Sequence, residues 1–252
     1  MTGSCLAADR RQFLAALAAM LSVPSSALAQ SKKATHAAVR AMAERYVAEK
    51  RAANMVVVIG GWKSPPDYIS VGRFQLDAGP AAGPDTLYIL NSMTKLFVGF
   101  AVMALVEDGK LSLDTPVADI FPEFATMRVL TDPENSLATR PATKPLTMRH
   151  LVTHTSGLGY ASNTTGPLQE LYRAPLLNNG YRLIPNQTHA GPKTLAEYAQ
   201  AVATLPLLSE PGTVWKYSIG LDLAVAVIEK VTDQPFDRFI TQRLFAPLGM
   251  LD

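Results

Sequence analysis

Asn91-Ser92-Met93-Thr94-Lys95 is a polar pentapeptide that separates two apolar segments, and most of what this sequence predicts follows from it. One segment is Leu87-Tyr88-Ile89-Leu90, and the other comprises residues 96–106. Apolar residues of the second segment fall on every side of a helical wheel, which predicts a buried helix. Ser92 is then expected at the N-terminus of that helix, with Lys95 one turn later on the same face.

Ser92 and Lys95 have the spacing of an acyl-transfer nucleophile and its base. A serine hydroxyl is a weak nucleophile until a neighbouring base removes its proton. Desolvation lowers the pKa of an ammonium group, so a half-buried Lys95 is expected to lose its proton and act as that base. The helix dipole would stabilise the negative charge that develops during the reaction. The same spacing also fits a helix-capping Ser beside a solvated Lys, and only further motifs decide between the two.

A tyrosine in the C-terminal part of the chain is the second signal. Tyr217 closely follows the turn sequence Pro211-Gly212. A phenol placed after a tight turn can point into a cleft, where beside Ser92 and Lys95 it would relay a proton to the leaving group. A core tyrosine is the alternative interpretation of this stretch.

Five motifs occur in a fixed order along the chain: Ser92-Met93-Thr94-Lys95, Val-Glu-Asp-Gly-Lys-Leu at 106–111, Leu-Val-Thr-His-Thr-Ser-Gly-Leu at 151–158, Pro-Gly-Thr-x-Trp-x-Tyr-Ser at 211–218 and Pro-Leu-Gly-Met at 247–250. Together they resemble the serine β-lactamase/penicillin-binding superfamily, in which Ser-x-x-Lys is a signature. The resemblance is strongest to the class C-like branch that contains the family VIII carboxylesterases. It covers roughly residues 35–252.

The resemblance implies a mixed α/β fold of the β-lactamase/transpeptidase type. An antiparallel sheet flanked by helices is expected, with an all-helical region over about residues 110–216 and a cleft where the two meet. It also implies that Ser92 is the acylated nucleophile, that Lys95 is its base partner, and that Tyr217 is a base and proton relay. No cofactor is expected.

Ile219 is the first departure from the class C pattern, which has an Asn at this position, two residues after the Tyr. That Asn would bind a β-lactam or peptide amide, which an apolar side chain cannot do. We therefore assign Ile219 to the substrate-binding site and predict a carboxylesterase acting on a small ester. The alternatives are a β-lactamase or D-Ala-D-Ala carboxypeptidase, with an amide substrate, and an inactive truncated fragment or non-catalytic binding protein.

The end of the sequence at Asp252 is the second departure. The superfamily continues with strands, one of which carries a Lys-Thr-Gly or similar triplet beside the cleft. We therefore expect residues 30–252 to be the N-terminal part of a longer hydrolase domain, with a second oxyanion donor beyond Asp252. The strand at residues 56–59 should then have an unpaired edge, and the helix at 96–106 should be partly uncovered.

Residues 1–29 are predicted to be an export signal peptide. Arg10-Arg11 precedes a short apolar run, and Ala27-Leu28-Ala29 is a typical cleavage site. The arginine pair resembles a twin-arginine signal, which predicts a periplasmic or secreted protein. An uncleaved membrane anchor is the alternative. Cleavage would remove Cys5, the one cysteine of the chain, and leave no stable membrane span.

Other patterns predict helices at 35–53, 221–231 and 236–245, strands at 55–59 and 68–74, a helix from Thr147, and a surface segment at 159–192 that contains Asn163.

His150 and His154 are four residues apart but lack the adjacent Glu and the third ligand of a metal site. No glycine motif for a nucleotide cofactor occurs. A net charge of +2 over 252 residues does not indicate a nucleic-acid partner, and nothing predicts the oligomeric state.

Overall fold

The computed structural model describes residues 36–61, 63–173 and 191–250. The predicted signal peptide and residues 174–190 of the predicted surface segment lie outside the described residues. The chain divides into two compact units, Met1–Ile89 and Leu90–Asp252. In the parts that the structure describes, no helix combines the length and the apolar character needed to cross a membrane.

The first unit is a helix on a small antiparallel sheet. Helix α1, Ala37–Ala48, packs against β1, Asn54–Gly61, and β2, Ser64–Gln75. Strand β3, Ala78–Ala81, completes the order β1-β2-β3. Ala43 on α1 is 0% exposed and Ile69 on β2 is 1% exposed, so these two side chains form the interior of the unit.

Strand β1 is less buried than its apolar sequence predicts. Val57 lies opposite Ile69 on one face, whereas Val58 and its partner Tyr68 lie on the other. Val58 is 57% exposed, because α1 covers a single face of the sheet and successive side chains of a strand alternate between faces. Strand β1 is at the edge of the sheet in the described residues, as predicted.

The second unit is mainly helical and is built around one central helix. The long helices are α2, Thr94–Glu107, and α6, Gly220–Thr232. The shorter ones are α3, Met148–Val152, α4, Leu168–Arg173, α5, Leu195–Ala203, and α7, Phe236–Ile240, which continues as a short π-helix over Thr241–Phe245. Helix α6 contacts α2, α3, α5 and α7, so it connects the buried faces of the unit.

Helix α2 is buried on one face only. Val98, Ala101, Val102 and Leu105 point into the core, whereas Leu96 is 75% exposed. The apolar residues on all sides of the helical wheel predict burial on every side, which is not observed. The other expectation, that this helix is partly uncovered, is confirmed in the described residues.

The region predicted to be all-helical also contains a two-stranded sheet. Strand β4, Arg128–Leu130, pairs antiparallel with β5, Thr139–Pro141. The parallel bridge between Val129 and Leu207 attaches this sheet to the segment that precedes Pro211. The resemblance implied an all-helical region here, and three-residue strands are too short to show a period of two, so no sequence pattern indicated them.

Candidate active site

Ser92 and Tyr217 are hydrogen-bonded to each other although they are 125 residues apart in the sequence. The Ser92 Oγ and the Tyr217 hydroxyl oxygen are 2.8 Å apart. Lys95, in the first turn of α2, places its Nζ 5.1 Å from the centroid of the Tyr217 ring. The structure thus brings together the three residues predicted to be catalytic, between the N-termini of α2 and α6.

Local backbone geometry presents Ser92 to solvent at the start of α2. Asn91 adopts a left-handed conformation with φ of 47°, which Asn tolerates better than most residues. The chain then forms a 3-10 turn over Asn91–Met93 before the helix begins at Thr94. Ser92 is exposed as a result, and a substrate can approach its hydroxyl from outside the helix.

Lys95 and Tyr217 shift each other's protonation in opposite directions. Burial alone would lower the pKa of Lys95, but its interaction with the Tyr217 hydroxyl and the negative charge of Asp222 raise that pKa overall. Burial alone would raise the pKa of Tyr217, but hydrogen bonding with Lys95 and Ser92 and the charge of Lys95 lower it overall. The sequence analysis expected desolvation to lower the pKa of Lys95, but these interactions raise it, so each of the two side chains favours the charged form of the other.

Asp222 is a carboxylate that the sequence analysis did not identify. It lies in the first turn of α6. Its side chain is accessible to solvent, but neighbouring protein atoms still desolvate the carboxylate. Burial raises the pKa of Asp222, and the positive charge of Lys95 opposes this shift. Asp222 therefore contributes the negative charge that helps to keep Lys95 protonated.

Two aromatic rings pack against Tyr217. The His154 ring centroid lies 4.7 Å from that of Tyr217, with 32° between the ring planes. The Tyr160 centroid is 5.5 Å away and its ring meets Tyr217 nearly edge to face. Trp215 packs edge to face with His154, at 6.1 Å between ring centroids, and is 67% exposed. The phenol is therefore held by ring packing as well as by its hydroxyl group.

The backbone around Tyr217 is fixed by hydrogen bonds to residues 154–163. Asn163 Nδ2 donates to the Tyr217 carbonyl oxygen at 2.9 Å, and the Ser218 N–H donates to His154 Nδ1 at 3.1 Å. The N–H groups of Lys216 and Ile219 donate to the carbonyl oxygens of His154 and Gly159 at 2.8 and 3.0 Å. These four bonds attach the segment that carries Tyr217 to a single neighbouring stretch of chain.

Ile219 is not brought to the site with the other predicted residues. Its side chain is 8% exposed and belongs to the hydrophobic core of the second unit. It therefore packs into the protein in this structure instead of contacting a substrate. The position offers the site no amide group, as the sequence had indicated, but the assignment of Ile219 as a contact residue does not match its burial.

Several site residues were missed because they carry no sequence signal of their own. His154 was considered only as a metal ligand, and Asn163 only as part of a surface segment, yet both contact the Tyr217 segment. His150 instead accepts the Thr147 N–H at 3.2 Å at the start of α3. No group of three His, Cys, Asp or Glu residues within 36–61, 63–173 and 191–250 is placed to hold a metal ion.

A serine hydroxyl bonded to a tyrosine whose pKa is lowered can transfer its proton without a metal-bound water. The Ser92 oxygen would then attack an electrophilic carbon while the phenol returns the proton to the leaving atom. The arrangement is therefore suited to acyl transfer through a covalent intermediate.

Comparison with known proteins identifies a family and several relatives. The family model described as Beta-lactamase matches residues 39–252. The chain is 36% identical over 182 residues to Esterase EstB of Burkholderia gladioli, which covers 72% of this chain and 41% of that protein. It is 39% identical over 171 residues to Lovastatin esterase of Penicillium rubens, which covers 67% of this chain and 39% of that protein.

A solved structure with the same fold is EstCE1, described as a hydrolase with promiscuous acyltransferase activity. It superposes with a TM-score of 0.65 at 26% identity, over 84% of this chain and 50% of that one. The chain spans about two fifths of the length of the two curated esterases.

Proposed function

The chain belongs to the beta-lactamase family, and from this premise we propose that its parent protein is an exported serine hydrolase that cleaves carboxylic esters through an acyl-enzyme on Ser92. The observation that carries the proposal is the 2.8 Å hydrogen bond between Ser92 Oγ and the Tyr217 hydroxyl. This bond joins a nucleophile to a base whose pKa is lowered by Lys95.

The chemical step begins with Tyr217 as a phenolate. The phenolate oxygen takes the proton of the Ser92 hydroxyl while Ser92 Oγ forms a bond to the ester carbonyl carbon. The product of this addition is a tetrahedral oxyanion. The new Tyr217 phenol then gives its proton to the alkoxide leaving group as the ester C–O bond breaks. The Lys95 ammonium stays protonated throughout and stabilises the phenolate. The N-terminus of α2 favours the negative charge that develops at the oxyanion.

Esters are favoured over β-lactams and D-Ala-D-Ala peptides because the names of the two curated relatives compared above describe esterases. The buried side chain of Ile219 does not contribute to this choice.

Transfer of the acyl group to an alcohol is a second candidate activity. Hydrolysis and alcoholysis share the acyl-enzyme and differ only in whether water or an alcohol attacks it. The description of EstCE1 as a hydrolase with acyltransferase activity supports testing both acceptors.

The test uses the purified full-length protein with a fluorophosphonate probe and p-nitrophenyl butyrate. We expect mass spectrometry to locate the probe on Ser92, and Ser92→Ala to abolish both labelling and turnover. Nitrocefin and a D-Ala-D-Ala peptide should be poor substrates. Labelling of Ser92→Ala at the wild-type rate would refute the nucleophile, and efficient nitrocefin hydrolysis without ester hydrolysis would refute the substrate class.

A further inference from the structure

His154 occupies a backbone position that usually belongs to glycine. It follows α3 with φ of 57°, and the Thr155 N–H donates to the His150 carbonyl oxygen at 3.0 Å. The His154 N–H donates to the Leu151 carbonyl oxygen at 3.4 Å. These bonds form a Schellman motif, whose left-handed residue is most often Gly because a Cβ atom is disfavoured there.

A side chain that is kept at a strained position needs a reason, and the contacts of His154 provide one. Its ring lies 4.7 Å from the ring of Tyr217, so the two rings are stacked with a tilt. Its Nδ1 accepts the Ser218 N–H at 3.1 Å and lies 3.3 Å from Ser218 Oγ. The imidazole thus contacts the proposed base and anchors the next residue along the chain.

Ser218 is a firm anchor because it is completely buried. Its Oγ accepts the Gly220 N–H at 3.2 Å, at the first residue of α6, and lies 3.5 Å from Ser156 Oγ. Since Tyr217 precedes Ser218, a displacement of the His154 ring would move both the face of the phenol and the backbone that carries it.

The imidazole is neutral in this arrangement. Nδ1 accepts a backbone N–H, which requires that its own proton is absent and that the ring is protonated on Nε2 only. Burial and the nearby Lys95 charge lower the pKa of His154, in agreement with this tautomer. A charged imidazole would lose the bond from Ser218 and would repel Lys95.

We propose that His154 is a positioning residue of the acyl-transfer site, whose neutral imidazole supports the ring of Tyr217 and fixes Ser218 so that the phenol oxygen stays within hydrogen-bond distance of Ser92. This inference rests on the proposed function. In this role the His154 ring acts by its position. It neither binds a metal ion nor transfers a proton.

The test compares three variants of the full-length protein. His154→Gly removes the side chain and relieves the backbone, so it should not lower the melting temperature by more than a few degrees. His154→Asn keeps an acceptor near Nδ1 and tolerates the left-handed conformation, but it lacks the ring. Thr153→Ala, at an exposed neighbour in the same turn, is the matched control.

The kinetic readout is kcat for p-nitrophenyl butyrate per active site, with sites counted by fluorophosphonate titration. We expect kcat to fall by about 10- to 100-fold in His154→Gly, since misplacement of a catalytic group by about 1 Å can cost about 100-fold. KM should change less than about two-fold. His154→Asn should lie between His154→Gly and the wild type, and Thr153→Ala should match the wild type.

Added imidazole should restore part of kcat to His154→Gly after subtraction of the rate of a Ser92→Ala/His154→Gly double variant. Wild-type kcat per titrated site in both His154→Gly and His154→Asn would overturn the proposal, even if less protein were folded. If His154→Gly fails to fold, kcat of His154→Asn decides alone. Failure of the wild type to be labelled at Ser92 would instead refute the proposed function.

Discussion

Lys95 Nζ lies 5.1 Å from the centre of the Tyr217 ring, and each side chain stabilises the charged form of the other. The pKa of Lys95 is raised above its ordinary value of 10.5, and the pKa of Tyr217 is lowered below its ordinary value of 10.0. The pair therefore exists as ammonium and phenolate over a wider pH range than two isolated side chains. This relationship supports the proposal that Tyr217 is the base and that Lys95 is its counter-ion.

The pH dependence of kcat should reflect these two directions. Activity should rise as pH increases through the Tyr217 pKa, because the phenolate is the reactive form, and should fall as Lys95 loses its proton above 10.5. Replacing Lys95 by Met removes the charge that lowers the Tyr217 pKa, so the rising limb should move to higher pH. The exposed Lys110→Met is the control. A rising limb that stays in place in Lys95→Met would contradict the pairing.

Tyr217→Phe should retain the ring packing with His154 and Tyr160 but lose the base. Loss of general-base assistance typically costs about 100- to 10,000-fold, so acylation by p-nitrophenyl butyrate should slow by this factor. The release of p-nitrophenol in the first turnover measures acylation directly. Tyr68→Phe, in the first unit, should have no effect. Acylation of Tyr217→Phe at the wild-type rate would show that another group removes the Ser92 proton.

Ile219→Asn tests whether this position controls substrate choice or stability. Because Ile219 is 8% exposed, a polar amide there would be buried, at a cost of about 1–3 kcal/mol if it finds no partner. We expect a lower melting temperature and no gain of nitrocefin hydrolysis. Ile219→Val should cost about 0.5–1.5 kcal/mol. Nitrocefin turnover by a stable Ile219→Asn variant would mean that the side chain reaches the substrate.

Gly220→Ala should destabilise the protein although alanine favours helices. A Cβ atom at Gly220 would lie 2.7 Å from the Leu151 carbonyl oxygen, closer than van der Waals contact allows, so α6 would have to move away from α3. Gly99→Ala in α2 is the matched control, because its Cβ would meet no atom within 4 Å. That variant should gain up to about 1 kcal/mol from helix propensity. Chemical denaturation of both variants measures the difference, and equal stabilities would contradict the close approach of α6 and α3.

Export should depend on Arg10-Arg11 and should produce a mature N-terminus at Gln30. Replacing both arginines by lysine should trap the precursor inside the cell, because the twin-arginine pathway recognises the arginine pair. N-terminal sequencing of the exported protein and immunoblotting of cell fractions check the two expectations. An exported protein that begins at Met1 would contradict cleavage, and normal export of the lysine variant would contradict the pathway.

The sequence predicted the parts of the site that have a spacing of their own. Ser92 lies in the 3-10 turn and Lys95 in the first turn of α2, so their proximity follows from the local helical geometry of a three-residue spacing. Tyr217 has a recognisable turn before it. Strand β1 and helix α2 were predicted because each is a run of apolar residues, and β2 was predicted from a weaker alternation of residues 68–74, whereas β3 was not predicted.

The remaining features depend on contacts between distant segments, which no local pattern records. His154 reaches Tyr217 only because the Schellman motif after α3 turns the chain toward residues 214–219. The direction of the Lys95 pKa shift depends on the Tyr217 hydroxyl and on the charge of Asp222, whose positions a desolvation argument from the sequence could not include. Ile219 was placed in the substrate site by its sequence distance from Tyr217, but the start of α6 directs it into the core.

The four hydrogen bonds that attach residues 216–219 to residues 154–163 also restrict how this segment can change length during evolution. Tyr217 and Ser218 are consecutive, yet one faces the active site and the other is buried. Deletion of a single residue between Gly212 and Tyr217 would shift the chain by one position, so that Ser218 would take the place of the base and Ile219 would have to fit the buried site of Ser218. Related enzymes should therefore differ here by substitution, and insertions or deletions should accumulate in segments without such paired anchoring.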